Sequence, residues 1–318
     1  MNAPARLGLF AAGLGVALLG AFGIAAAVVP PEVVTRWEDQ AISDDADPQD
    51  TTDQEDRQTT EDDVMNEILG LTLSAGGYAL SPVEAPSGVE QTGSLAFQVL
   101  DAQGEPLTAY ETSHERELHL IVVRADGARF EHAHPTLDAS TGVWTAPWQW
   151  SDAGTYRVFA DFVPAGGSGD RVILSRTVTV AGHLETPAPT GEVRVDRVAD
   201  FDVAVAGALV AGSASELTFT VSQPGAAPIE LQPYLGAFGH LVALRDGDLA
   251  YLHVHAEGDA PDAGSTGGPA IAFMAVAPTP DRYRLYLDFQ VDGQVYTAEF
   301  ILDAAAGDTT ETSDHDSH

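Results

Sequence analysis

The chain has 318 residues, 44% of them hydrophobic, with 48 acidic residues against 14 basic ones, no cysteine and a formal net charge of −34. A surface this negative repels nucleic acid and anionic lipid headgroups and attracts cations. The absence of thiols excludes disulfides, thiolate metal sites and cysteine nucleophiles.

Arg6 precedes an uncharged, proline-free run from Leu7 to Val29. At about 1.5 Å per residue this run can cross a hydrocarbon core of about 30 Å. A basic residue before it and an acidic stretch after it place the N-terminus inside and the remainder outside. Residues 1–29 therefore read as a signal peptide or a membrane-anchor helix. Ala25-Ala26-Ala27 suits cleavage, whereas the length of the run favours retention. The expected location is the cell membrane with extracytoplasmic domains, or outside the cell if the segment is removed. Residues 30–69 are rich in Asp, Glu, Thr, Gln and Pro, too polar to offset ordering entropy, and read as a disordered stalk.

Beyond the stalk the sequence is duplicated. Leu95-Ala96-Phe97-Gln98-Val99 recurs as Leu217-Thr218-Phe219-Thr220-Val221, and His119-Leu120-Ile121-Val122-Val123-Arg124 as His240-Leu241-Val242-Ala243-Leu244-Arg245. Phe130-Glu131-His132-Ala133-His134 matches Tyr251-Leu252-His253-Val254-His255, and the block from Tyr156 to Phe162 matches that from Tyr283 to Phe289. The copies occupy residues 70–182 and 191–304, with a proline-containing linker at 183–190 and an acidic tail at 305–318. Short apolar-polar alternations separated by Gly, Pro and Asp predict strands throughout. The expected fold is all-β: two tandem immunoglobulin-like or cupredoxin-like sandwiches after an N-terminal hydrophobic helix. Asp152-Ala153-Gly154-Thr155-Tyr156 has the form of a tyrosine corner; the second copy, with Asp281-Arg282-Tyr283, lacks the glycine.

Histidines carry the candidate chemistry. Pairing around Asp126-Gly127 sets His119 opposite His134, and pairing around Asp246-Gly247 sets His240 opposite His253. Strand parity then puts His119, His132 and His134 on one face of the first copy and His240, His253 and His255 on one face of the second. Three imidazoles within reach of one another suit a copper ion, with zinc as the other candidate. His114 is a further candidate ligand in the first copy only. The same face carries Ile121, Val123 and Phe130, so the opposing reading is a core in which the histidines bond to one another or to Asp161 and Asp288. Asp161 and Asp288 are equally candidates for holding a ligand's tautomer. Trp144, Trp148 and Trp150 read as packing rather than a ligand platform, and His315, Asp316 and His318 as a frayed terminus. Phosphate loops, nucleophile elbows and HExxH zinc motifs are absent from the sequence.

Glu117 to Val123 with His132-Ala133-His134-Pro135, and Gly239 to Arg245 with Tyr251 to His255, resemble exported bacterial β-sandwich proteins labelled heavy-metal-associated or YtkA-like. These are similar in outline to the CopC copper-resistance domains. The resemblance covers both copies and the N-terminal segment but not the stalk, and it implies a copper role. Ala256 departs from it, standing where a proline is usual, as does the shifted hairpin turn of the first copy. The expected function is non-enzymatic: an extracytoplasmic metal-binding protein that buffers or presents copper. Its partners would be the metal ion and the membrane, without nucleic acid. The alternative is a non-catalytic extracellular interaction or structural module whose histidines are structural.

Overall fold

A computed structural model describes residues 69–167, 169–184, 191–258, 260–262 and 264–307, all in one compact unit. The expected N-terminal helix, almost all of the stalk, most of the linker, and most of the tail, including His315, Asp316 and His318, lie outside the described residues. The described residues contain strands and no helix long and apolar enough to cross a membrane.

The first sandwich comprises β1 (Ser74–Ala75), β2 (Tyr78–Leu80), β3 (Gly93–Leu100), β4 (Tyr110–Glu111), β5 (Leu118–Arg124), β6 (Glu131–Ala133), β7 (Thr136–Asp138), β8 (Val143–Trp148), β9 (Gly154–Pro164) and β10 (Val172–Val180). The second comprises β11 (Val195–Val198), β12 (Phe201–Gly207), β13 (Ala214–Ser222), β14 (His240–Arg245), β15 (His253–Ala256), β16 (Ala270–Val276), β17 (Arg282–Val291) and β18 (Gln294–Asp303). In the first, sheet β1-β2-β3-β8-β7 faces sheet β10-β9-β5-β6; in the second, β11-β12-β13-β16-β15 faces β14-β17-β18. The inner strands β12-β13-β16-β15 and β14-β17-β18 follow the A-B-E-D and C-F-G order of an immunoglobulin sandwich. This resolves the two architectures left open by the sequence. Both tyrosine corners form, with the Tyr156 hydroxyl donating to the Asp152 carbonyl at 2.9 Å and that of Tyr283 to Thr279 at 2.8 Å.

Burial explains the strand patterns. Along β3 the inward residues Leu95, Phe97 and Val99 alternate with more exposed ones, because one side of that sheet meets solvent. In contrast, every residue of β5 is buried. Leu118, Leu120 and Val122 fill the first sandwich together with the three tryptophans, whereas Ile121 and Val123 point the other way. There they meet Val242, Leu244, Tyr251 and Tyr286 of the second sandwich in a third apolar cluster. The two sandwiches thus dock through the outer faces of the β5- and β14-containing sheets. Phe130 stacks on Tyr286 with ring centroids 4.0 Å apart, and the Tyr286 hydroxyl donates to the Gly127 carbonyl at 2.6 Å. Gly127 lies at φ 76°, and a Cβ there would fall 2.0 Å from Arg284 Cδ, so a side chain at this position would be strained and would have to displace Arg284.

The hairpins differ from the two-residue turns expected. In the first copy, bonds from Arg124 to Ala128 and from Gly127 to Arg124 close a three-residue loop. An extra residue at Arg129, φ 57°, then restores the parity, and Leu120 pairs with Ala133 as the sequence implied. In the second copy a four-residue loop is closed by Arg245 and Ala250. After Leu252 the chain leaves β14, and β15 pairs with β16 in the opposite sheet.

Candidate metal centre between the sandwiches

His119 on β5 and His240 on β14 occupy matching positions in the two copies, and each lies across from an aspartate on the neighbouring strand: His119 from Asp161, His240 from Asp288. Because the docking faces are those that carry these residues, the two copies bring their histidines together. The rings of His119 and His240 stack with centroids 5.5 Å apart and planes 5° apart. His132, on β6 beside Ile121, lies 4.7 Å from His240 by ring centroid. One ring nitrogen from each of His119, His132 and His240 falls within a set spanning no more than 4.8 Å.

The sequence led to two clusters, one per copy; among the described residues the histidines that come together, His119, His132 and His240, are drawn from both. His134 borders it, 4.8 Å from His132 by ring centroid, with its Nε2 buried and without a hydrogen-bond partner. His255 is exposed on β15, which pairs with β16, and the side chain of His253 lies outside the described residues. In the second copy His240 lies on β14, whereas β15, which carries His253 and His255, pairs with β16 in the opposite sheet.

The hydrogen bonds of the site form a line. His119 Nε2 lies 3.1 Å from the Ser113 carbonyl, His119 Nδ1 lies 3.1 Å from His132 Nε2, and His132 Nδ1 lies 2.7 Å from Asp288 Oδ2. Both ends of this line are acceptors, and three gaps need three protons, whereas two neutral imidazoles supply two. If His119 donates to Ser113 and His132 to Asp288, the nitrogens left facing each other both carry lone pairs. Any other placement sets a lone pair against the Ser113 carbonyl or the Asp288 carboxylate. The missing positive charge can be a third proton or a metal cation. Burial pushes the His119 pKa down to about 4, which opposes a second proton on that ring, and lowers that of His240 beside it well below its usual value. Burial, with His132 and His119 adding to it, lowers His134 to about 3.

The remaining donors fit a cation. His240 Nδ1 is buried without a partner. Nitrogens 3.1 Å apart are close to the spacing of about 3.3 Å that two imidazoles take at about 2 Å from a tetrahedral ion. The Asp288–His132 contact is the carboxylate–histidine arrangement that fixes a ligand's tautomer. The matching aspartates are treated differently. Asp161 is bonded by the Arg171 guanidinium, with Nε to Oδ1 at 2.7 Å. Asp288, equally buried, is held by the Thr297 hydroxyl at 2.6 Å and by His132, and the ion pairs of the described residues give it no guanidinium. A buried carboxylate with only a histidine for counter-charge favours a cation nearby.

The sequence carried His119, His132 and His240 as candidates, but not their union. The contribution of His240 rests on docking between sheets, which spacing along the chain does not encode.

Among solved structures, the chain is similar to bacterial invasin, described as an integrin-binding protein, at 14% identity over 72% of this chain and 39% of that one, with a TM-score of 0.18. A two-domain fibronectin type III segment of chicken tenascin matches at 9% identity over 71% and 99%, with a TM-score of 0.20, and a marsupial T cell receptor at 9% over 68% and 62%, with 0.21. The chain thus spans well under half of the invasin chain. No curated protein matches. The sequence model of the DUF8832 family, described as a domain of unknown function, matches twice, at residues 74–182 and 195–306. The chain belongs to the DUF8832 family, of which it carries two copies.

Proposed function

We propose that this protein is a non-catalytic, extracytoplasmic two-sandwich module that binds one transition-metal cation, copper or zinc, between its sandwiches. His119 and His132 from the first copy and His240 from the second would hold it. The observation that carries this reading is the proton deficit of the Ser113–His119–His132–Asp288 line, with an unpartnered His240 nitrogen beside it. Three neutral imidazoles supply borderline nitrogen donors, which suit copper and zinc rather than calcium or magnesium. The resemblance to YtkA-like proteins and the charge of −34 point the same way. A buried joint suits retention of the ion better than display at a surface, so buffering or structural loading is favoured over presentation. The carboxylates nearest the cluster are engaged, Asp161 by Arg171 and Asp288 by His132 and Thr297, which supports a binding rather than a hydrolytic role.

A second reading has its own support. His119 and His132 already bond to Ser113, to Asp288 and to each other, so one extra proton would complete the line as a purely structural feature of an interaction module. Dialysis of the full chain against copper(II) or zinc(II), then desalting and elemental analysis, separates the two. The metal reading expects one retained ion with an imidazole-nitrogen shell by X-ray absorption. A chain that retains no metal supports structural histidines.

A further inference from the structure

A crevice opens beside the cluster. It is lined by His114, Arg171, His240, Tyr251 and Leu235 and offers about 30 Å³ of solvent-sized space, enough for a water or a bare ion. His114 stands in it, its ring centroid 6.1 Å from that of His119 and 5.9 Å from that of His240. Outside it lies exposed His255, near enough for its charge to act on His114.

The way His114 is held is unusual. Ser113 and Arg116 exchange backbone hydrogen bonds of 2.8 and 3.0 Å around a two-residue turn, and both turn residues, His114 and Glu115, have positive φ, 48° and 62°. Such a turn favours Gly or Asn, and a histidine there is strained by about 1 kcal/mol or more. The second copy builds the same turn between Tyr234 and Ala237, with Leu235 at φ 57° and Gly236 at 82°. Leu235, the counterpart of His114, is buried and lines the same crevice. The two turns meet across the joint at this crevice. At matching positions one copy thus presents an apolar side chain to the crevice and the other an imidazole. The same turn anchors the site, since the Ser113 carbonyl accepts from His119.

Building on the metal reading above, we infer that His114 is the entry residue of the centre: a transient ligand that passes a copper or zinc ion between the crevice mouth and His119, His132 and His240. The ion moves by ligand exchange alone, with no redox step and no net proton demand on His114.

The test uses the full chain with zinc(II) as the probe. Loading is followed by stopped-flow displacement of a chromophoric zinc indicator, and release by extraction with excess chelator. His114→Asn keeps a residue that tolerates the left-handed turn while removing the imidazole. His114→Leu copies the second sandwich and guards against an effect peculiar to the amide. Both variants are expected to load and release zinc about tenfold more slowly, the scale on which residues bordering a metal site act, with one ion per chain still bound at equilibrium. Unchanged rates in both variants would overturn the entry role. A loss of equilibrium binding in both would also overturn it, because His114 would then be a permanent ligand. A wild-type chain that binds no zinc would instead refute the metal reading itself.

Discussion

Replacing Asp288 by Asn tests the division of labour between the two aspartates. Asp288 accepts from His132 at 2.7 Å and from Thr297 at 2.6 Å, with no guanidinium beside it among the described ion pairs. The amide retains one acceptor oxygen, so the metal-free fold loses part of two charge-assisted bonds but also sheds a buried, poorly compensated charge. These effects oppose each other, and the net cost to the metal-free protein is about 1 kcal/mol. Metal binding loses more. His132 no longer has an anionic partner to fix its tautomer and raise its basicity, which weakens affinity about 10- to 100-fold, or about 1.4 to 2.8 kcal/mol. Asp161→Asn should show the reverse. It leaves Arg171 facing an amide in a largely buried ion pair, at a cost of about 3 kcal/mol in fold stability. Zinc titration against a competing chelator measures the first quantity, and denaturant unfolding of the metal-free protein measures the second. The reasoning fails if Asp288→Asn binds zinc as tightly as the wild type, or destabilises the metal-free fold as much as Asp161→Asn.

Further expectations concern pH, the joint and the corners. Burial lowers the His119 pKa to about 4, below the value of about 6.5 in an unfolded chain. Between these values the unfolded chain binds more protons, so metal-free stability falls as pH drops from about 6.5 to about 4, by about 3 kcal/mol for this group. Denaturant curves of wild type and His119→Gln across that range should show the slope shrinking in the variant; identical slopes would count against it. Gly127→Ala drives a Cβ into Arg284 at a positive φ and should cost about 1 to 3 kcal/mol. Tryptophan fluorescence reads that loss from the first sandwich, which holds Trp144, Trp148 and Trp150, since no tryptophan follows residue 191. Tyr156→Phe removes one corner bond and should lower stability by about 1 kcal/mol, and Tyr283→Phe, whose hydroxyl both donates to the Thr279 carbonyl and accepts from the Thr279 N–H, should cost at least as much. A neutral Tyr283→Phe would show that the corner without glycine contributes nothing.

Much of the fold was legible because it is local. The β3 and β13 alternations, the four repeated blocks and the Asp152–Tyr156 corner follow from periodicity and turn chemistry over short distances. The parity of His119, His132 and His134 survived a misjudged loop, because the extra residue at Arg129 cancelled the shift introduced by a three-residue turn. The joint was not legible. Leu118 to Arg124 has no alternation, which signals a strand buried on both faces, but the sequence does not name what covers the second face. That cover is the matching strand of the other copy, which brings His240 beside His119 and His132. The fate of His253 and His255 was hidden for a related reason: the pairing of β15 with β16 depends on contacts from Ala270 to Val276, remote in sequence from the hairpin.

The central claim is a single metal centre that needs both copies. Its most direct measurement is the zinc and copper content of the full chain and of His240→Ala and His119→Ala, each loaded to saturation and desalted. The account predicts one ion per wild-type chain and none in either variant, although the two substitutions lie in different sandwiches. Two ions per wild-type chain, or one ion retained after His240→Ala, would contradict it.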